Sequence, residues 1–170
     1  MVFKHDTGVF NIYASLDVWL KARLDTNKPP AVTTVTFNVN FPEQPLVFPS
    51  WSSSHLGADS TGGQYQGNNV ESGKHGVRRF GLWEINCWVS RKNLQWSKQV
   101  RQMADAVTYA INSNHGGVRV YDFYTDEQAP TALNYRVTLG PASERDTAPD
   151  PNPDVERIRL IIPYHWVERV

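Results

Sequence analysis

The chain has 170 residues, of which 40% are apolar, and its equal numbers of acidic and basic residues give a formal net charge of zero. This length predicts one domain with a substantial hydrophobic core, and zero net charge argues against tight non-specific binding to nucleic acid. The one cysteine, Cys87, excludes an intrachain disulfide and a zinc site made of several cysteines. Its apolar surroundings predict a small buried side chain.

The first predicted element is an amphipathic helix over residues 9–24. Apolar residues recur there at spacings of three and four, as they do along one face of a helix. Pro29 and Pro30 follow it, and proline disfavours helix both at its own position and at the residue before it.

Strands are predicted next, at residues 33–41 and 46–48, and then at 82–90 beyond a long polar run. The first alternates apolar with polar residues, and Pro49 closes the second. In the third, Trp83, Ile85 and Cys87 share one face, while Phe80 and Leu82 lie on the other. We therefore expect this strand to be covered on both sides.

A second amphipathic helix is predicted over residues 94–112, and strands over 118–124, 133–139 and 155–170. This order predicts an α+β fold in a single domain, residues 1–170. We expect a mostly antiparallel sheet of about five to six strands, with the two helices packed on one face. Two long projecting loops are expected, at 50–76 and 140–154.

The long run 50–76 contains aromatic residues that are candidates for contact with a partner, because Trp and Tyr are enriched at interaction hot spots. Each could equally fold back onto its own domain. Arginines at its base and in the last strand suit carboxylates or phosphates, and a solvated strand face explains them as well. The candidate interface residues are Trp51, His55, Tyr65, Arg78, Arg79, Arg157 and Arg159.

The sequence has no phosphate-binding loop, dinucleotide fingerprint or nucleophile elbow. Its five histidines fall in separate segments without the spacing of a metal site. Asp122 and Glu84 are explained more simply as solvent-facing strand residues than as catalytic carboxylates. We therefore expect no catalytic residues, no metal and no cofactor. No apolar run is long enough to span a membrane, so no membrane partner is expected.

Taken together, the layout resembles the tail terminator proteins of long-tailed bacteriophages, the lambda-like tail terminator or tail-completion family. The resemblance covers an opening helix, two strands, a long excursion and a strand leading into a second helix. It ends with the terminal strand over residues 155–170, which contains the run Ile158-Arg159-Leu160-Ile161-Ile162-Pro163-Tyr164-His165-Trp166.

The resemblance implies a virion structural protein rather than an enzyme. Such proteins form a ring, commonly a hexamer, that caps the finished tail tube. The implied partners are other copies of the chain, the tail tube protein and a neck or head-completion protein. DNA passes through the lumen without sequence-specific binding. The implied location is the tail–neck junction of a virion assembled in the host cytoplasm.

Three other functions remain open at the level of sequence. The nearest is another head–tail joining protein, such as a neck or tail-completion protein. A carbohydrate- or receptor-binding module is suggested by Trp51 and Tyr65 in a polar run. An enzyme would have to use Asp122, Glu84 or His165.

Overall fold

The computed structural model describes residues 9–30, 32–39, 45, 47–69, 74–145 and 152–169, with the backbone alone in 38–39, 57–69, 74–78 and 168–169. Two helices and seven strands form within these residues. They are α1 (Val9–Thr26), β1 (Phe37–Val39), β2 (Ser50–Asn69), β3 (Lys74–Ser90), α2 (Trp96–Asn112), β4 (Val118–Asp122), β5 (Thr131–Leu139), β6 (Ser143–Arg145) and β7 (Val155–Arg169).

The strands form one sheet in the order β1-β2-β3-β7-β5-β4, and β6 also pairs with β7. β1 runs parallel to β2, whereas every other described pair is antiparallel. The prediction of an α+β fold with a mostly antiparallel sheet is confirmed. The described sheet has seven strands rather than five to six, because β2 and β6 form in segments that were predicted to be long loops.

Both helices pack on one face of this sheet, which we call the inner face. Strand residues alternate between faces, so Trp83, Ile85 and Cys87 of β3 all point to the inner face, where they are fully buried. Their neighbours Leu82 and Glu84 belong to the opposite, outer face. Buried residues of the helices complete the core: Ile12, Leu16, Leu20 and Leu24 of α1, and Val100, Met103, Val107 and Ile111 of α2.

Helix α1 also covers the edge of the sheet at β4. The backbone N–H of Tyr121 donates to Ser15 Oγ at 2.9 Å, and that of Phe123 donates to Asn11 Oδ1 at 2.8 Å. Asn11 and Ser15 are both buried. An edge strand with unpaired N–H groups invites pairing with another chain, and the two α1 side chains satisfy those groups here.

The prediction of a structureless run at 50–76 is wrong for the described residues. Residues 50–69 are strand β2, which pairs antiparallel with β3 from Ser50 opposite Trp88 to Asn69 opposite Lys74. The Ser/Gly-rich composition hid the strand because pairing with a distant segment, rather than apolar alternation, holds it. The buried Ser52 of β2 binds a side chain of β3, because its Oγ accepts a hydrogen bond from the indole N–H of Trp88 at 2.8 Å.

Other boundaries shift as well. The strand predicted at 33–41 is reduced to Phe37–Val39 in the described residues, and Val47 and Phe48 lie in a bend rather than a strand. The expected loop 140–154 contains β6, and residues 146–151 lie outside the described part of the chain. Strand β3 begins at Lys74, earlier than the predicted residue 82, because β2 and β7 both extend its pairing.

Candidate assembly surfaces

Of the two alternatives predicted for Trp51, contact with a partner or folding back onto its own domain, the structure shows the second. Its side chain is fully buried on the inner face, and its indole Nε1–H donates to the backbone carbonyl of Met103 at 3.3 Å. The bond joins β2 to the second helix. Trp51 is therefore part of the core, since alternation along β2 directs it toward the helices.

The His55 side chain is also interior, with an exposed fraction of 1%. It stacks on Tyr13 at a ring-centroid distance of 4.0 Å and is nearly parallel to Trp83. Its Nε2 lies 3.3 Å from Oδ1 of Asp17, whose side chain is 3% exposed. His55 thus belongs to a buried polar cluster beneath α1, and of its two predicted alternatives the structure shows the one in which it folds back onto its own domain.

The same cluster is closed by Ser53 and Tyr164. Ser53 Oγ donates to Asp17 Oδ1 at 2.5 Å and accepts the Trp83 indole N–H at 2.7 Å. Burial raises the pKa of the Tyr164 hydroxyl far above its ordinary value. Hydrogen bonds join α1, β2 and β3 in this buried cluster, and the ring of Tyr164 in β7 lies edge-on to His55 at a centroid distance of 6.3 Å. The position of the cluster suits a structural role.

Arg157 and Arg159 of the last strand lie together on the outer face. Arg159 Nε donates to Glu84 Oε2 at 2.7 Å, and the guanidinium of Arg157 lies 5.0 Å from the ring centroid of Trp88. Both pairs cross from β7 to β3 at neighbouring register positions. Arg159 thus forms an ion pair with Glu84 within the subunit, and its side chain remains 33% exposed on the outer face.

The other candidate interface residues, Arg79, Tyr65 and Arg78, are not shown beside Arg157 and Arg159. Arg79 is partly buried and lies opposite Trp166, on the inner-face side of β3. The side chains of Tyr65 and Arg78 lie outside the described part of the structure. Of the alternative catalytic residues, Glu84 is paired with Arg159 on the outer face and His165 lies opposite Phe80 on that face, whereas Asp122 ends β4 beside the first helix.

Sequence reasoning missed an exposed apolar surface on the outer face. Phe80, Leu82 and Val167 are 42%, 41% and 40% exposed, and we call them the outer apolar patch. Strand register places Phe80 opposite His165 and Leu82 opposite Pro163, so the patch spans β3 and β7. The signal was present in the sequence, since Phe80 and Leu82 occupy the face of β3 that the core residues do not use.

A second missed surface is an open groove of about 610 Å³ between α1 and the β4–β5 hairpin. Val18 at its rim is 57% exposed and lies off the apolar stripe of α1, which is the signal that could have revealed it. Aromatic, polar and charged side chains share the lining. They include Trp19, Arg23, Asn114, Arg119, Tyr121, Phe123, Glu127 and Arg136.

A third surface is a polar cavity of about 820 Å³ at the start of α2. Arg101 crosses it to Glu144 of β6 at 2.6 Å, and this bond raises the pKa of the guanidinium. Leu94 at its edge is fully exposed. The ion pair across the cavity joins α2 to β6.

Within the described ranges, His, Cys, Asp and Glu side chains do not gather in any group of three or more that a metal ion could use. Neither described helix combines the length and the apolar character needed to cross a bilayer.

The described residues define a two-layer α+β domain with two helices on one face of a long-stranded sheet. No protein-family model matches the sequence, and no curated protein matches it. Among solved structures, a chain of the "Virion of native gene transfer agent (GTA) particle" is similar over 92% of both chains, with 15% identity and a TM-score of 0.43. A likeness this distant assigns neither a family nor a function to the chain.

Proposed function

We propose that the protein is a structural subunit of a phage-like virion, specifically a tail terminator whose copies form a ring on the end of the tail tube. The layout of the sequence resembles that family. The observation that carries the proposal is the outer apolar patch, because it is a surface suited to association with another protein chain.

The patch has the anatomy of an interface centre. Phe80 and Leu82 lie on the outer face of β3, and Val167 lies on the same face of the adjacent strand β7, opposite Arg78. Arg157, Arg159 and Glu84 lie further along this face. Protein interfaces commonly combine an apolar centre with a polar rim. Burying the patch against another subunit removes apolar surface from water, which is the main favourable term in association.

The long strands give this surface reach. β3 has 17 residues, which span about 56 Å at ~3.3 Å per residue. A compact domain of 170 residues has a radius of gyration of only about 15 Å. The paired strands β2 and β3 run on to Asn69 and Lys74. In the proposed assembly this end of the sheet contacts neighbouring subunits or the tube.

A closed ring follows if the patch of one copy contacts a different surface of the next copy. Such head-to-tail interfaces generate rings when the rotation closes. In the proposed assembly one rim of the ring contacts the tail tube protein and the other contacts a neck or head-completion protein. DNA crosses the lumen without sequence-specific contacts, in keeping with a subunit of zero net charge.

Mass photometry of the purified chain tests ring formation. We expect one closed oligomer, and we expect Leu82→Lys to shift it to monomers because the substitution places a charge in the patch. Val47→Lys is the matched control, since Val47 is an exposed apolar residue outside the patch and outside the other two surfaces. Circular dichroism of both variants should match the parent, so that a loss of assembly is separated from unfolding.

Addition of the protein to polymerising tail tubes tests the terminator role. We expect tube growth to stop and the ring to be visible at one tube end by negative-stain microscopy. A strict monomer at all concentrations that does not bind tubes would contradict the proposal. A ring that binds the head connector but not the tube would favour the alternative, another head–tail joining protein.

The more distant alternatives have less support. The hypothesis of a carbohydrate- or receptor-binding module requires exposed aromatic side chains, and Trp51 is buried. The hypothesis of an enzyme requires Asp122, Glu84 or His165 to be catalytic. Glu84 forms an ion pair with Arg159, and Asp122 accepts hydrogen bonds that shape the turn after β4.

A further inference from the structure

The groove between α1 and the β4–β5 hairpin is suited to an extended peptide. Its lining combines aromatic rings, Trp19, Tyr121 and Phe123, with the exposed Val18. Aromatic-lined grooves bind proline-rich segments, which hold an extended conformation before binding and so lose little entropy.

An unused hydrogen-bond donor lies in the same groove. Asn114 Nδ2 is buried, and within the described part of the chain it has no hydrogen-bond partner. An unmade hydrogen bond of a buried donor is costly. The carbonyl groups of a polyproline-type segment have no internal partners, so such a segment would supply the missing acceptor.

The charges of the groove select an acidic occupant. Arg23, Arg119 and Arg136 line it, against one acidic residue, Glu127. Arg136 is held in place because its guanidinium donates to the carbonyls of Gly116 and Gly117, each at 3.1 Å. Arginine forms strong, charge-assisted hydrogen bonds with carboxylates.

One stretch of this chain has the matching composition. Residues 146–153 contain Asp146 and Asp150, three prolines at 149, 151 and 153, and no basic residue. We propose that this acidic proline segment of one copy binds in the groove of the next copy. The inference rests on the proposed ring and names one of its subunit contacts.

The acidic proline segment is too short to reach the groove of its own copy, so it must bind the groove of another copy. β6 pairs with β7 as far as Arg159. β5 pairs with β7 at Thr138, which lies opposite His165 and two residues beyond Arg136 of the groove. These register positions are about 20 Å apart at ~3.3 Å per residue. The segment is fixed at Arg145 and again at Asn152. Fully extended it spans about 25 Å, which is too short to reach the groove and return.

The test uses a fluorescein-labelled peptide of residues 146–154 and the full chain, with binding followed by fluorescence anisotropy. We expect saturable binding that weakens as salt is raised. A peptide carrying Asp146→Asn and Asp150→Asn should bind at least about tenfold more weakly. The chain variant Val18→Glu should also lose about tenfold in affinity, because it places a negative charge beside the acidic peptide. Val47→Glu is the matched control, because Val18 and Val47 are both 57% exposed and Val47 is not among the groove residues.

The same substitutions in the full chain connect binding to assembly. We expect Val18→Glu and the double Asp→Asn variant each to reduce the oligomer in mass photometry, and Val47→Glu to leave it unchanged. Rings that persist in Val18→Glu, or a peptide that binds this variant as well as the parent, would overturn the groove contact and leave the proposed function standing. A full chain that stays monomeric while the peptide binds would overturn the ring and the contact within it.

Discussion

The imidazole of His55 and the carboxylate of Asp17 form a buried pair, with Nε2 of His55 3.3 Å from Oδ1 of Asp17. Asp17 is on α1 and His55 is on β2, so the pair joins the first helix to the strand that sequence patterns did not predict. Ser53 donates a further hydrogen bond to the same carboxylate. Buried polar networks of this kind are costly to break, because the remaining groups are left without partners.

Asp17→Ala tests the strength of this network. We expect the free energy of unfolding to fall by about 3 kcal/mol, because Ser53 and His55 lose their shared acceptor in the interior. Urea unfolding followed by circular dichroism measures the change. Asp25→Ala on the same helix is the control. Its ion pair with Lys21 is exposed, and its loss should cost less than ~1 kcal/mol. Equal losses for the two variants would contradict a buried network.

Gly81 lies against the ring of Tyr164, where a side chain has no room. A Cβ atom at position 81 would lie 2.3 Å from Cζ of Tyr164. Gly81→Ala should therefore destabilise the fold by about 1–3 kcal/mol through overpacking. Adding Tyr164→Leu should recover part of this loss, so the two substitutions should be clearly non-additive in a double-mutant cycle. Additive losses would show that the close approach is not what limits position 81.

Asp122 should make stability depend on pH. Thr125 Oγ1, the Tyr124 N–H and Asn11 donate to its carboxylate, and they hold the pKa of that carboxyl below its usual value of 3.8. A lowered pKa in the folded state stabilises the fold above the usual pKa, and this contribution disappears as pH falls through the folded value. The stability gap between the parent and Asp122→Asn should be constant above about pH 5 and should narrow toward pH 2.

Thermal unfolding of both proteins between pH 7 and pH 2 measures that gap. Thr125→Val removes the strongest donor and keeps the carboxylate, so its own gap to the parent should also narrow at low pH. A gap that stays constant over the whole range would show that the Asp122 hydrogen bonds do not depend on its charge.

Cys87 should be unreactive in the folded protein. Its side chain is fully buried on the inner face, and burial raises the pKa of the thiol well above its ordinary value. Because the thiolate is the reactive form, labelling by a disulfide reagent at pH 8 requires opening of the structure. We expect labelling at least about 10³-fold slower in buffer than in concentrated urea. Similar rates in the two solutions would contradict the buried position.

The second helix shows how much local pattern can predict. Its apolar stripe through Val100, Met103 and Val107 predicts residues 94–112, and the helix spans Trp96–Asn112. Helical periodicity is a local property, because all backbone hydrogen bonds of a helix lie within four residues. The burial of Cys87 was predicted for a similar reason, since apolar neighbours at alternate positions mark the covered face of a strand.

Strand β2 shows where local pattern was insufficient. Ser50–Asn69 has the composition of a loop, and its partners in β3 include residues up to 38 positions away, at Trp88. The groove was missed because Val18, Arg119 and Arg136 come from three separate elements. No spacing within the sequence brings them together.

By itself the sequence determined the α+β class, the two helices, the buried faces of the central strands and the burial of Cys87. These properties follow from periodicity and from apolar residues that must leave water. Only the tertiary structure decided that the Ser/Gly-rich run is a strand, that Trp51 and His55 are interior, and that an apolar patch and an arginine-rimmed groove remain exposed. Each of these depends on which distant segments pair, since backbone pairing and burial are set by neighbours that lie far away in the chain.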